Sequence, residues 1–68
     1  MTTALDIINV TESLGLEARA RRISRLITRP ELAAMVGVSQ EEVNRLECGQ
    51  PLPPEKTRKL LLALGLLS

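Results

Sequence analysis

The segment from Thr28 to Glu47, TRPELAAMVGVSQEEVNRLE, carries two capping-box signatures in close succession, and they leave it little freedom in how to fold. Thr28 stands three residues before Glu31, and Ser39 stands three before Glu42. In each pair the hydroxyl and the carboxylate can satisfy one another's free backbone donors, so each marks a helix start. Pro30 falls in the first turn of the first helix, where a missing N–H costs nothing. Gly37 lies between the boxes, where a chain leaving one helix needs a positive φ. Leu32, Met35 and Val36 form one apolar stripe, and Val43 and Leu46 form a second. Two short helices joined at a glycine are predicted.

Ala33, four residues before Gly37, is small enough to let the two helices cross closely. The spacing Ala33–Gly37–Val43 resembles the helix-turn-helix of the Cro/phage-repressor (XRE-type) DNA-binding family, and the resemblance continues through the following loop to Leu66. It implies an all-α fold: a compact four- or five-helix, lambda-repressor-like DNA-binding domain. Residues 1–68 would form this single domain, with the helix-turn-helix over 28–47.

The size of the chain sharpens that expectation. A core built from 68 residues buries only about 60% of the surface its unfolded chain exposes. With one Cys and no His, neither a disulfide nor a zinc site is on hand to staple it. Stability must come from helix–helix packing or oligomerisation. Aromatic residues are absent, and Leu, Ala, Glu and Arg dominate, which favours helices over strands. The chain begins with Met and reads as complete, with no signal peptide and no apolar run long enough to span a bilayer. A reduced cytoplasm is the expected compartment.

Residues 1–12, MTTALDIINVTE, are the least legible. Leu5, Ile7, Ile8 and Val10 fit a short helix after a Thr3 cap, and the partly β-branched DIINVT run also fits a strand paired with a second chain. Residues 13–26 are expected to form a helix capped by Ser13, with Leu16, Ala20, Ile23 and Ile27 as its inward face. Gly15 weakens its first turn. Leu26 departs from the family's pattern, which commonly has glycine there to end the first helix; a tighter or more helical connection is expected. After the second helix of the pair, Gly49 is a natural C-cap, and Pro51, Pro53 and Pro54 stiffen the loop. A last helix should run from Pro54 to Leu64, ended by Gly65, with Leu60 and Leu64 in the core. A fifth helix usually follows in the family, and it commonly builds the dimer. Here Leu61, Leu62, Leu66 and Leu67 would instead be covered by the N-terminal segment or by a second subunit.

Enzymatic chemistry has little to work with. There is no His to act as a base, no activating partner for Cys48, no glycine-rich phosphate loop and no metal-ligand cluster, and no cofactor is implied. Net charge is only +1, so bulk charge does not announce nucleic acid. Its distribution says more: Arg19, Arg21, Arg22, Arg25 and Arg29 fall in one stretch without an acid.

With Val43, Leu46 and Glu47 inward, a 100° step turns Glu41, Asn44, Arg45 and Cys48 outward. The resemblance places Gln40, Glu41 and Arg45 at base-reading positions, with Asn44 within reach. Gln40 suits adenine, Arg45 guanine and Glu41 the cytosine amine. Glu41 equally suits an i,i+4 pair with Arg45. Arg29 matches the family's phosphate-contacting Gln, and Ser39, Gln50, Arg25 and Lys56 are further phosphate candidates. Arg22 and Glu47 match a buried ion pair between the first and third helices. The expected partners are double-stranded DNA and a second copy of the chain, through the leucine-rich C-terminal end, the N-terminal segment, or both. A protein-interaction module or antitoxin-like protein on the same scaffold is the rival reading.

Overall fold

A computed structural model describes residues 11–67. The expectations placed on residues 1–10 lie outside the described residues. Among the described residues the chain is all-helical. Four helices follow one another: α1 (Glu12–Ser24), α2 (Arg29–Val36), α3 (Gln40–Glu47) and α4 (Pro54–Ala63). None of them is long and apolar enough to cross a membrane.

Local chemistry sets three of the four helix starts. Thr28 and Ser39 each close a reciprocal box: Thr28 Oγ1 accepts from the Glu31 amide at 3.2 Å, and Glu31 Oε1 accepts from the Thr28 amide at 2.9 Å. The second box repeats this, with distances of 3.1 and 2.9 Å between Ser39 and Glu42. The α1 cap is Thr11, not Ser13, its hydroxyl accepting from the Leu14 amide at 3.1 Å. Pro54 begins α4 without a side-chain cap.

Helix α3 packs against both α1 and α2, and α4 packs against α2. The core consists of Ala18, Leu32, Ala33, Val43, Leu46, Leu60 and Leu64. Each fully buried leucine contributes about 1.5–3 kcal/mol from apolar burial, and no aromatic side chain is needed. Of the apolar face predicted for α1, only Ile27, beyond the helix end, packs against the core. Gly15, Ala18 and Arg22 face inward, whereas Ala20 is exposed, Leu16 is 58% exposed and Ile23 50%. Small residues lie inward because α1 approaches α3 too closely for large ones: a Cβ on Gly15 would lie 2.5 Å from the Leu46 carbonyl oxygen. Met35 also leaves its predicted stripe and is exposed, and Leu61, expected to leave surface open, is buried.

The helices end alike. Beyond each of α1, α3 and α4 a residue with positive φ sends its own amide, and the next residue's, back to the last turn; after α2 both amides return to Ala33. That residue is Gly37, Gly49 or Gly65 in three cases and Leu26 in the fourth, at φ 58°. The predicted tighter or more helical connection is therefore not what forms. Leu26 adopts the glycine geometry, with its amide on the Ile23 carbonyl (2.9 Å) and the Ile27 amide on that of Arg22 (3.2 Å).

A left-handed leucine carries strain of roughly 1–2 kcal/mol. Glycine would remove it at an entropic cost of about 0.5–1 kcal/mol. Leu26→Gly is thus expected to stabilise the fold by up to about 1 kcal/mol, read from the urea midpoint. A lower midpoint would show that the exposed leucine contributes contacts outweighing its strain.

Candidate functional site

The exposed face of α3 is held in place from behind. Val43 and Leu46 are fully buried, and Glu47 is anchored electrostatically. Arg22 grips Glu47 with two bonds, Nε to Oε2 at 2.6 Å and Nη2 to Oε1 at 3.1 Å, and gives Nη1 to the Ile27 carbonyl at 2.9 Å. Arg29, at the first position of α2, donates Nε to the same Oε1 at 3.0 Å. One carboxylate therefore joins α1, α2 and α3. The Glu47 side chain is 2% exposed, Arg22 10% and Arg29 37%. Burial alone would raise the Glu47 pKa. Hydrogen bonds from Arg22 and then Arg29, with their charges, outweigh it and hold the carboxyl below its ordinary value.

On the outer side, Gln40, Glu41 and Arg45 are exposed along the first two turns of α3. Glu41 and Arg45 lie 4.0 Å apart, at the limit of an i,i+4 ion pair. Asn44, predicted to face outward with them, is only half-exposed, and its Oδ1 is enclosed without a hydrogen-bond partner among the described residues. The Ser39 hydroxyl accepts the Glu42 amide, which leaves its own hydrogen available to an acceptor outside the fold.

The cations grouped together in sequence have separate tasks. Arg25 donates Nη1 to the Ala63 carbonyl at 2.9 Å, and Arg21 donates Nη1 to that of Leu64 at 3.3 Å. These two arginines from the end of α1 cover the open carbonyls at the end of α4, where positive charge is favoured. Lys56 bridges to Glu42, and this bond is the largest cause of that carboxyl's lowered pKa. Arg29 stands at the start of α2, half-exposed, with its Nε engaged by Glu47. The Gln50 side chain is exposed, and its backbone amide bonds the Arg45 carbonyl at 2.8 Å.

The structure thus sets Ser39, Gln40 and Glu41 at the start of α3 and Arg45 in its last turn, ties Arg29 to Glu47 at the far end of the helix, and engages Arg25 and Lys56 elsewhere. Sequence reading did not single out Arg21. Its only signal was its place in the arginine run, since the carbonyl it meets is 43 residues away. Comparison with protein-family models gives no match for this chain, and comparison with curated proteins gives none either.

Proposed function

We propose that this chain is a small sequence-specific binder of double-stranded DNA, a repressor-like transcriptional regulator of the helix-turn-helix type, acting as a dimer on a two-fold-related site. The observation that carries this reading is the division of α3 into two faces. One face is locked by Val43, Leu46 and the doubly paired Glu47, and the other offers Gln40 and Glu41 at its N-terminus and Arg45 one turn further on. A helix such as α3, about 10–12 Å across with its side chains, fits a major groove about 12 Å wide. Gln40 can present its amide to adenine N6 and N7, and Arg45 its guanidinium to guanine O6 and N7. Glu41 either accepts from cytosine N4 or stays beside Arg45 and fixes its rotamer.

The phosphate grip of one module is modest. The Ser39 hydroxyl and the exposed part of Arg29, at the helix starts, are the groups left for it, since Arg29 shares Glu47 and Arg25 and Lys56 also have internal partners. Two copies on half-sites one helical turn apart compensate through effective concentration. Leu62 is exposed, and Leu66 and Leu67 are half-buried, at the end of the chain proposed to meet the second copy.

The internal engagement of those cations also favours a second reading, an interaction module on the same scaffold. Selection from a random duplex library at low salt separates the two. A recovered motif supports the regulator, and its absence, with no duplex binding, leaves the interaction module. With a motif in hand, Arg45→Ala is expected to relax the preference at one base pair by roughly 1–3 kcal/mol. Arg29→Ala should weaken all duplexes alike and flatten the salt dependence. An unchanged preference in the Arg45 variant removes that residue from the reading set.

A further inference from the structure

On the side of α1 away from the core lies an apolar strip that no described residue covers. Leu16, Ala20 and Ile23 follow one another at helical spacing, and Leu26, 90% exposed, continues the strip past the helix end. Beside Ile23 and Leu26 opens a shallow cleft of about 450 Å³, lined also by Ile27, Thr28, Arg19, Arg22 and Arg29. Arg22 is already engaged with Glu47, but Arg19 is exposed and has no ion-pair partner among the described residues. No carboxylate lines the cleft. The cleft thus combines aliphatic side chains, Ile23, Leu26 and Ile27, with arginines and no acid.

Leu26 is the second observation. Three helices of this chain end on a left-handed glycine, and at this one a leucine takes the same strained geometry while exposing nearly all of its side chain. The geometry closes the end of α1 through the Leu26 and Ile27 amides, but the leucine side chain gains no burial from it, and a strained, solvent-facing residue beside a cleft is the pattern of a binding element.

We propose that this cleft docks a segment of a partner protein that combines aliphatic side chains with flanking carboxylates. The aliphatic groups would lie against Ile23, Leu26 and Ile27, and the carboxylates on Arg19 and the exposed part of Arg29. A second copy of the same face fits less well. The face carries arginines and no carboxylate to meet them, so self-pairing would set like charges against each other. This inference does not depend on whether α3 reads DNA.

The test is to pan a random-peptide display library against the full chain. Enriched sequences are expected to pair Leu, Ile, Met or Phe with Asp or Glu. A synthetic peptide of the enriched consensus should bind the wild-type chain in solution. Leu26→Gly should weaken it about tenfold, the effect of losing one buried aliphatic contact. Because that substitution relieves strain, misfolding would not explain the loss, and circular dichroism checks it. Arg19→Glu should weaken the same peptide at least as much. The proposal is overturned by a library that enriches nothing, by consensus sequences without acidic residues, or by undiminished binding to the Leu26 variant. It is also overturned if the wild-type chain sediments as a dimer that Leu26→Gly and Arg19→Glu dissociate, since the face then belongs to a second copy.

Discussion

Glu47→Gln is expected to leave the chain largely unfolded at room temperature. Removing one partner of a buried ion pair costs about 3–5 kcal/mol, and a core of this size rarely supplies more than about 3–5 kcal/mol in total. Glutamine keeps the shape of the side chain but leaves the guanidinium of Arg22 buried without a counter-charge, and Arg29 loses its anchor as well. Urea titration followed by circular dichroism measures the loss. A double replacement, Arg22→Met with Glu47→Leu, should recover much of it, because apolar residues of similar volume commonly substitute for a buried pair at little net cost. If Glu47→Gln unfolds at the wild-type urea concentration, the carboxylate does not join the three helices energetically.

The same group sets the acid limit. Glu47 is held below its ordinary value of 4.5. Glu31 is lowered too, chiefly by the Thr28 amide, and Glu42 chiefly by Lys56. A carboxyl whose folded pKa is depressed contributes stability that is fully present above its unfolded value and is lost as pH falls through the folded one. Stability should therefore be level from neutrality to about pH 5 and decline below it. In any Glu47 variant that still folds, the decline should be shallower.

Gly15→Ala is expected to destabilise the fold, opposite in sign to helix propensity. Within an ordinary helix the change is favourable by about 0.5–1 kcal/mol. Here the new Cβ would lie 2.5 and 2.7 Å from the carbonyl oxygens of Leu46 and Glu47 and 2.9 Å from the Glu47 carbonyl carbon. These are backbone atoms of the central helix, which cannot step aside as a side chain can, so α1 must lift. The net loss should be at least about 1–3 kcal/mol, the range seen for overpacking. A more stable Gly15→Ala variant, by urea midpoint, would mean that α1 and α3 do not approach this closely.

What sequence reading reached and what it missed follow from the range of the interactions. The starts of α2 and α3 were legible because a capping box joins residues only three apart, and both boxes form as expected. Burial of Val43 and Leu46 followed from the same local frame. The orientation of α1 was not legible by counting aliphatics. The largest side chains, Leu16 and Ile23, made the more persuasive stripe, while the inward face depends on Gly15 and Ala18 being small enough for contact with α3. Arg25 and Lys56 were assigned outward roles for a related reason. Their partners, Ala63 and Glu42, lie 38 and 14 residues away, and nothing local announces a tertiary partner. Leu26 shows the opposite case, in which the surrounding fold imposes a backbone geometry that the residue's own preference resists.

The meeting of three helices on Glu47 bears on how the molecule opens. A helix tied to its neighbours only by dispersion can detach and return alone, letting its amides exchange with solvent through a partial opening. Here α1 and α3 cannot part without stranding a buried charge, and α2 cannot leave without breaking the Arg29–Glu47 pair, so their slowest amides should exchange with deuterium at one common rate, that of global unfolding. The end of α4 is held by Arg21 and Arg25 through carbonyl contacts at the surface, and it should exchange earlier. A single carboxylate would then make three short helices, each too short to persist alone in water, behave as one cooperative unit.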